Sequence, residues 1–436
     1  MKVEVQWKKL VKPSVPTPNN RQKWKLSSMD ELQPLVYVGV IFYYRDYAEK
    51  PGVDIAQRLH QMEESLSKTL TIFYPMAGRY KEIDDCFVHC NDLGVEFVHA
   101  KVDGQIDQGL HGDPDMDSLN CLSRFPTKVV GNPLVVIQVN TFECGGLAIG
   151  VRFAHKIGDM YTMAMFINSW ATTCRGNIDA IVCPNFELSS LFPVKESGVP
   201  FRPPPLIGKE DFVSSRFRFS GNAISKLKAL ARDNAKDSMA IDFHLSRVEV
   251  VSALISRALV DVDRNINGEQ RAFVVCMTVN LRQKINLAIP SNTCGNLFAF
   301  MFARSGQPTA GKSKLEFKGM VNVIRHLISD AKTKYATVGD GEELCSIVRN
   351  SLTEFSRTLS TTEDCLIGIS SWCWFGLYEN DFGWGRPVLV TSTPTNFRFI
   401  FLIDGEESGG IDAWITIDKD EMILLKQDPE FLAFTS

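Results

Sequence analysis

The sequence predicts an α/β protein built from two domains. Runs of β-branched residues with the length of strands alternate with segments whose apolar residues recur at helical spacing, a pattern typical of α/β folds. The chain has 436 residues, more than one ordinary hydrophobic core accommodates, and a cluster of prolines divides it near its middle. We therefore expect two domains joined by a crossover segment.

The clearest elements before the proline cluster are a helix, a hairpin and a second helix. Asp54–Leu70 carries apolar residues at helical spacing. Pro133–Thr141 and Leu147–Phe153 are rich in strand-forming residues and flank the turn signal Cys144-Gly145-Gly146, so they predict a hairpin. The apolar run Met163–Trp170 then indicates a buried helix.

Prolines concentrate between Cys183 and Asp211. The six residues are Pro184, Pro193, Pro200, Pro203, Pro204 and Pro205. They predict a crossover linker over 186–211, which separates an N-terminal domain of residues 1–185 from a C-terminal domain of residues 212–436.

After the linker, regular patterns return. Phe212–Phe219 alternates as a strand, and the segments Ala223–Ala231 and Val248–Leu259 have helical spacing. These elements are expected to begin the second domain.

Composition indicates a soluble enzyme. The chain is 44% hydrophobic and 22% charged, with a formal net charge of -4, which makes nucleic acid an unlikely class of partner. The N-terminus interleaves charged and apolar residues, and no apolar run reaches the roughly 18 residues of a membrane helix. We expect a cytoplasmic protein without a membrane segment.

Cysteine usage points to reduced thiols. Eleven cysteines, an odd number, are spread along the chain, which disfavours a disulfide framework. The segment Cys86–Cys90 encloses a histidine, but it alternates as a strand does and no second ligand pair with zinc spacing follows. We therefore predict no metal site.

His99, His111 and His155 each precede an aspartate by four positions. The spacing alone does not choose among them, because a catalytic base must be held rigidly and still be reachable. His155 follows the second strand of the predicted hairpin and precedes the buried helix, so it is expected at a strand-to-helix corner. His99 lies in a modest polar stretch and His111 in a loop, and we expect both to face solvent.

Several motifs occur in an order that resembles a known family. They are Pro16-Thr17-Pro18, Phe73–Arg79, Phe142–Gly146 leading into His155–Asp159, Val279–Arg282, Gly295-Asn296, Ser371–Cys373 and Asp381–Pro387. Together they resemble the BAHD family of plant acyltransferases over nearly the whole chain, and more narrowly its branch that acetylates alkaloids and terpenoids. Thr293-Cys294 stands where the family usually has an aromatic pair before Gly-Asn.

The resemblance implies two sandwich-like domains of the chloramphenicol acetyltransferase type that meet along a tunnel, with residues 370–393 returning to the first domain. It also implies a monomeric acyltransferase that uses acetyl-CoA as co-substrate and a small-molecule alcohol as acceptor, with no permanently bound cofactor. A bulkier acyl-CoA or an amine acceptor stays open. So does another class of protein, a non-catalytic relative that binds a small molecule or a protein partner.

His155 is the predicted general base. A neutral imidazole can remove the proton of the alcohol as it attacks the thioester and then pass that proton to the CoA thiolate, so no acyl-enzyme is required. The unperturbed pKa of histidine, about 6.5, suits this task. The chain has no Gly-x-Ser-x-Gly elbow, which disfavours a serine esterase of the α/β-hydrolase type.

The resemblance assigns roles to the residues around this base. Asp159 is expected to pair with Arg282 and hold the corner, while a direct orienting contact between Asp159 and His155 stays open. Ser370 and, as a weaker second donor, Asn296 are the expected hydrogen-bond donors to the oxyanion.

Two further groups of residues complete the predicted set. The residues expected to have a structural role in the Asp-Phe-Gly-Trp-Gly loop are Asp381, Gly383, Trp384 and Gly385. The residues considered for contact with CoA are Ser371, Arg257 and the loop lysines Lys312 and Lys314.

Overall fold

Two mixed six-stranded sheets organise the chain. The computed structural model describes residues 1–45, 54–81, 87–107, 116–194, 212–232, 245–269, 271–305, 315–360, 364–395 and 397–436. The first sheet contains, in spatial order, β1 (Lys2–Val11), β6 (Val95–Asp103), β7 (Val135–Phe142), β8 (Leu147–Ala154), β3 (Tyr37–Tyr44) and β13 (Leu389–Ser392). The second contains β11 (Phe298–Arg304), β10 (Phe273–Asn280), β12 (Cys365–Ser371), β14 (Phe399–Asp404), β15 (Ile411–Asp418) and β9 (Phe212–Phe219).

A small sheet and a set of helices complete the described part of the chain. The small sheet consists of β2 (Lys23–Lys25), β5 (Phe87–His89) and β4 (Arg79–Lys81). The helices are α1 (Ser28–Glu31), α2 (Ile55–Ile72), α3 (Met116–Leu122), α4 (Met160–Cys174), α5 (Leu188–Leu191), α6 (Gly221–Arg232), α7 (Arg247–Asn267), α8 (Phe317–Ala336), α9 (Gly341–Ser360), α10 (Lys419–Leu425) and α11 (Pro429–Leu432). None of the helices in the described residues is long and apolar enough to cross a membrane.

Each large sheet buries its own hydrophobic core. On the first sheet, α2 and α4 pack together, and the Trp170 indole on α4 donates a hydrogen bond to the carbonyl of Met62 on α2 at 3.0 Å. The predicted hairpin is present, because β7 and β8 pair in antiparallel fashion. The strand predicted at Phe212–Phe219 is β9, with the same bounds.

The helix predicted at Val248–Leu259 is longer than the sequence suggested. It begins after the capping box formed by Ser246 and Glu249, and it ends at Gly268, whose φ of 76° is left-handed. Arg257 therefore lies in the middle of α7 and not at its end.

A late segment of the chain returns to the first sheet. β13 pairs with β3, and Phe382 and Leu389 belong to the first core. Ser370 lies on β12 of the second sheet, because that strand fills the position between β10 and β14 by parallel pairing. The return to the first sheet thus begins after β12, a few residues later than position 370.

The first part of the expected linker is packed against the domains. Phe186 contacts the first core, and its carbonyl accepts a hydrogen bond from the Trp24 indole at 3.0 Å. Leu188 and Phe192 belong to the second core. Residues 195–211 of the expected linker, like His111, lie outside the described residues.

The expectation that His99 faces solvent was wrong. His99 lies on β6, which is covered on both edges by β1 and β7, and only 6% of the residue is exposed. Its ring is 5.6 Å from that of Trp7, and its Nε2 is 3.1 Å from the Thr141 hydroxyl. Asp103 is four residues further along the same strand, about 13 Å away at the rise of a β-strand, so these two side chains do not form a pair.

Candidate active site

His155 lies at the corner that the sequence predicted. β8 ends at Ala154, a single turn of 3₁₀ helix covers His155–Ile157, and α4 begins after its N-cap, Asp159. The backbone N–H of His155 donates to the carbonyl of Val36 at 2.9 Å, which ties the corner to the start of β3. The part-buried imidazole is therefore carried on a rigid segment and keeps some exposed surface.

Asn296 fixes the tautomer of the imidazole. Its amide nitrogen donates to the carbonyl of His155 at 2.9 Å and to the Asp30 carboxylate at 3.0 Å. Both partners can only accept, so the amide has one orientation, and its oxygen lies 3.1 Å from His155 Nδ1. An amide oxygen can only accept, so Nδ1 carries the proton and Nε2 keeps its lone pair.

This arrangement disfavours the oxyanion role expected for Asn296, because both amide hydrogens are already donated elsewhere. It favours instead an imidazole whose Nε2 lone pair is available to accept a proton. Burial lowers the pKa of His155, and this effect outweighs the opposing influence of Asp159 and Asn296. The ring is therefore neutral at neutral pH.

The expected pair of Asp159 and Arg282 is present. Arg282 Nη1 lies 2.7 Å from Asp159 Oδ2, and the two side chains are 3% and 9% exposed. Burial alone would raise the pKa of Asp159, but the charge of Arg282 and the hydrogen bonds the carboxylate accepts leave that pKa below its ordinary value. The guanidinium also lies 4.7 Å from the centre of the Tyr161 ring. The pair joins the start of α4 to the loop after β10.

The hydrogen bonds of Asp159 go to its own helix and to the second domain. Its oxygens accept from the backbone N–H of Thr162 at 3.0 Å and from that of Leu297 at 3.0 Å, besides Arg282. This geometry supports the structural interpretation of Asp159 over a direct contact with the imidazole.

The segment 295–297 is held by three successive backbone N–H groups. Gly295 donates to the Thr162 hydroxyl at 3.1 Å, Asn296 to the Asp30 carboxylate at 2.7 Å, and Leu297 to the Asp159 carboxylate at 3.0 Å. Gly295 has a φ of 120°, and a Cβ at this position would lie 2.6 Å from Leu188. A side chain at this φ would be strained, so the glycine and the three backbone hydrogen bonds together hold the segment that presents Asn296 to His155.

Asp30 was missed by the sequence interpretation. It is fully buried, and besides Asn296 it accepts hydrogen bonds from the backbone N–H and the hydroxyl of Ser27, at 3.0 and 2.6 Å. Burial raises its pKa against the opposing effect of these hydrogen bonds. The Ser-x-x-Asp spacing is a helix-start signal that could have located it, but its link to position 296 is purely tertiary.

Ser370 lies on a row of side chains across the second sheet. The register places Phe300, Thr278, Ser370, Phe401 and Trp414 side by side on β11, β10, β12, β14 and β15. Since side chains two residues apart share a face, Phe298 and Asn280 lie on the same face, one step along. This row thus lies on the face of the second sheet where the two domains meet.

Part-exposed side chains of this face lie between two contacts with the first domain. At one end the rings of His155 and Phe298 are 5.8 Å apart, and at the other the Trp414 indole donates to the carbonyl of Val390 on β13 at 3.3 Å. Thr278, Ser370 and Phe401 between them retain exposed surface. We refer to this row of part-exposed side chains, Thr278, Ser370 and Phe401, as the interdomain face.

On the interdomain face, the Thr278 hydroxyl donates to the Ser370 hydroxyl at 2.8 Å. The Ser370 oxygen accepts that bond, so its own hydrogen is available to another acceptor. Ser371 is the next residue of β12 and points to the opposite face of the sheet. The geometry therefore separates the roles of the two serines.

The Asp-Phe-Gly-Trp-Gly loop lies in the first domain. Asp381 accepts hydrogen bonds from the backbone N–H groups of Gly383 and Gly385 at 2.7 and 2.9 Å. Phe382 is fully buried and its ring contacts that of Trp170 at 4.6 Å. Trp384 stacks on Phe382 at 5.7 Å. These contacts agree with the structural role expected for the loop.

The cationic residues considered for CoA find other surroundings. Arg257 is buried and forms an ion pair with Glu430 on α11, which gives its charge a partner within the protein. Lys312 and Lys314 lie outside the described residues. Contacts of CoA with Arg257 or Ser371 stay predictions.

Comparisons with known proteins extend over the whole chain. The model of the Transferase family matches residues 1–432. Acetyl-CoA-benzylalcohol acetyltransferase of Clarkia breweri is 37% identical over 100% of both chains, and stemmadenine O-acetyltransferase of Catharanthus roseus is 33% identical over 96% of this chain and 95% of its own. The crystal structure of vinorine synthase superposes with a TM-score of 0.83 at 31% identity, covering 100% of this chain and 99% of the other.

Proposed function

Because this chain belongs to the Transferase family, that is, to the BAHD acyltransferases, we propose that it transfers an acetyl group from acetyl-CoA to the hydroxyl of a small specialised metabolite. The geometry that carries this proposal is the neutral imidazole of His155 with its proton on Nδ1, beside Phe298 at one end of the interdomain face. Relatives at 37% and 33% identity are acetyltransferases by name, which supports acetyl-CoA as donor.

His155 Nε2 acts as the general base. It takes the proton of the acceptor hydroxyl as the oxygen attacks the thioester carbon, and a tetrahedral intermediate forms. The C–S bond then breaks, and the same proton passes from Nε2 to the departing thiolate, which leaves an ester and free CoA. The transfer is direct, so no protein side chain becomes acylated.

Ser370 stabilises the oxyanion of that intermediate. Its hydroxyl accepts from Thr278 and has its own hydrogen free to donate. A single donor of this kind contributes about 3 to 4 kcal/mol to lowering a barrier when it is aimed at the developing charge. Asn296 contributes by holding the imidazole, because its own amide hydrogens are used.

The acceptor is proposed to be an alcohol with a large apolar body, of the alkaloid or terpenoid kind. An aryl alcohol is a second candidate, which a specific observation favours. Phe298 lies 5.8 Å from the His155 ring and contacts Phe300 edge-to-face at 5.9 Å, so aromatic surface faces the base. The relative at 37% identity acts on benzyl alcohol by its name.

The test is release of free thiol from acetyl-CoA with a panel of acceptors, together with detection of the acetyl ester by mass spectrometry. The panel contains benzyl alcohol, an indole alkaloid alcohol, a terpenoid alcohol and benzylamine, and longer acyl-CoA donors are compared with acetyl-CoA. We expect His155→Ala to lower turnover by about 10²- to 10⁴-fold, the usual contribution of a general base.

Equal thiol release from wild type and His155→Ala would contradict the enzymatic proposal and favour a binding protein. A mass increase of the intact protein with acetyl-CoA and no acceptor would contradict direct transfer. Faster reaction with benzylamine or a longer acyl-CoA would change the assigned acceptor or donor and leave the role of His155 in place.

A further inference from the structure

We propose that Asp30 is a positioning residue for the catalytic imidazole, acting through Asn296; this inference rests on the proposed role of His155 as base. Asp30 is 0% exposed and lies on α1, more than a hundred residues before the histidine motif. Its carboxylate lies next to Asn296, and Asn296 in turn contacts His155.

One oxygen of Asp30 is dedicated to Asn296. Oδ1 accepts from the backbone N–H of Asn296 at 2.7 Å and from its amide nitrogen at 3.0 Å. The amide therefore cannot rotate about its side chain without losing a hydrogen bond to a buried acceptor. With the nitrogen held, the amide oxygen must face His155 Nδ1, and this sets which imidazole nitrogen carries the proton.

The other oxygen of Asp30 is held by its own helix start. Oδ2 accepts from the backbone N–H and hydroxyl of Ser27, while the Ser27 hydroxyl accepts from the backbone N–H of Asp30 at 3.1 Å. The carboxylate is thus fixed from both sides. The two oxygens have different roles: Oδ2 caps α1, and Oδ1 orients Asn296.

α1 is also fixed to the histidine corner and to the second domain. The ammonium of Lys156, the residue after the base, donates to the carbonyls of Glu31 and Gln33 at 2.8 and 3.1 Å. On the other side of α1, Met29 and Leu32 are buried in the second core. Asp30 therefore lies where the corner at His155, α1 and the segment before β11 meet. The position of its carboxylate depends on all three, and through Asn296 it sets the orientation of the imidazole.

The physical consequence is a preference between two tautomers. Without Asp30, the backbone N–H and the amide nitrogen of Asn296 each lose an acceptor, so only the His155 carbonyl still holds the amide nitrogen, and rotation that turns a donor toward Nδ1 costs less. A donor facing Nδ1 favours the proton on Nε2, which removes the lone pair that must take the proton of the alcohol. Turnover falls, while binding of acetyl-CoA and acceptor is unchanged.

The test is a double-mutant cycle of Asp30→Ala and Asn296→Ala, with kcat and KM measured for each variant. We expect Asp30→Ala to lower kcat by about 10²-fold, the scale of misplaced catalytic groups, with KM little changed. In the Asn296→Ala background, Asp30→Ala should have almost no further effect on kcat. Equal effects in both backgrounds would overturn the proposal, because Asp30 would then act independently of Asn296.

Ser27→Ala is the matched control for the helix cap. It removes the hydroxyl contact of Oδ2 and leaves the Oδ1 contacts with Asn296 in place. We expect a lower Tm with kcat near that of the wild type.

Asp30→Asn keeps an acceptor for Asn296 and should recover most of the kcat lost in Asp30→Ala. Failure of this recovery would mean that charge, not amide orientation, is what His155 requires, and would overturn the proposal as stated.

A spectroscopic readout keeps the proposal testable if Asp30→Ala does not fold. Asp30→Leu keeps the branching of the side chain at Cγ and lacks every acceptor. In ¹⁵N-histidine-labelled protein, with the His155 signals assigned from His155→Ala, the wild type should show the proton on Nδ1. A shift toward the Nε2 tautomer in the Asp30 variants supports the proposal, and an unchanged Nδ1 tautomer overturns it. If His155→Ala loses activity while the Asp30 variants stay active, only this inference is refuted, and the proposed role of His155 stands.

Discussion

Asp159 and Asp381 perform the same local task in two different regions of the molecule. Each carboxylate accepts hydrogen bonds from backbone N–H groups: Asp159 from Thr162 and Leu297, Asp381 from Gly383 and Gly385. Asp159 reaches across the domain boundary and is buried against Arg282, whereas Asp381 is part-exposed and binds only its own loop through these bonds. The effect of each carboxylate on the chemistry therefore depends on which segment of the chain it holds in place.

The segment held by Asp159 contains Asn296, the residue that orients His155. The loop held by Asp381 presents Phe382 to Trp170 in the first core. Both regions should therefore affect stability, but only the first should affect turnover strongly.

The largest combined effect on stability and turnover is expected for Asp159→Ala. It leaves the buried Arg282 without its partner, which costs about 3 to 5 kcal/mol, and it frees the backbone of Leu297 next to Asn296. We expect a lower Tm together with a loss of turnover of about 10²-fold or more. Kinetics and thermal melting on the same preparations check this.

Two outcomes would decide between the interpretations of Asp159. Loss of turnover with an unchanged Tm would contradict the structural role and favour direct orientation of His155. The double variant Asp159→Ala/Arg282→Ala serves as a control, because removing both charges should destabilise less than the sum of the single changes.

Much of this comparison could be predicted from the sequence. The strand-to-helix corner at His155 follows from local patterns, and the roles of Asp159, Arg282 and the loop at Asp381 follow from a resemblance of ordered motifs. Asp30 could not be predicted in the same way, because its function depends on a contact between residues 30 and 296 that no local pattern encodes.

Surroundings also explain the prediction about His99, which was wrong, and the prediction about Asn296, which the geometry disfavours. His99 looked solvent-facing from its polar neighbours, but the order of strands places β1 and Trp7 over it. Asn296 looked like an oxyanion donor until its amide hydrogens were accounted for. In both cases the missing information was the set of tertiary partners, which decides whether a polar group is available.

The next effect in size is expected for Ser370→Ala, which separates chemistry from stability. Its hydroxyl keeps a hydrogen to donate on the interdomain face, and removal of an oxyanion donor lowers kcat by about 10²- to 10³-fold. Ser214→Ala is the matched control, because Ser214 pairs with the Thr416 hydroxyl at 3.2 Å on the outer strands of the same sheet. Both should melt close to the wild type. Equal kinetics of the two variants would contradict the role of Ser370.

A smaller effect, on stability alone, is expected for Asp381→Ala. The loop loses the acceptor for Gly383 and Gly385, and each unsatisfied N–H costs about 1 to 3 kcal/mol where it is shielded from water. We expect a lower Tm with kcat within a few-fold of the wild type at a temperature where the protein is folded. A loss of turnover comparable to that of Asp159→Ala would break the distinction between the two regions.

The smallest expected effect is a displacement of the pH profile, and it probes the corner directly. Burial lowers the pKa of His155, while Asp159 and Asn296 raise it and Lys156 lowers it. A general base works only when neutral, so with His155 as the proposed base kcat/KM should fall as the pH drops through a pKa that lies below the ordinary value of about 6.5. Asn296→Ala removes an acceptor that stabilises the protonated ring, so its acid limb should move to still lower pH. Asp381→Ala should leave the limb where it is, since its carboxylate holds a loop of the first core and not the corner at His155. A shift in Asp381→Ala would show that the two regions are not electrostatically separate, and an acid limb above 6.5 in the wild type would contradict the lowered pKa of His155.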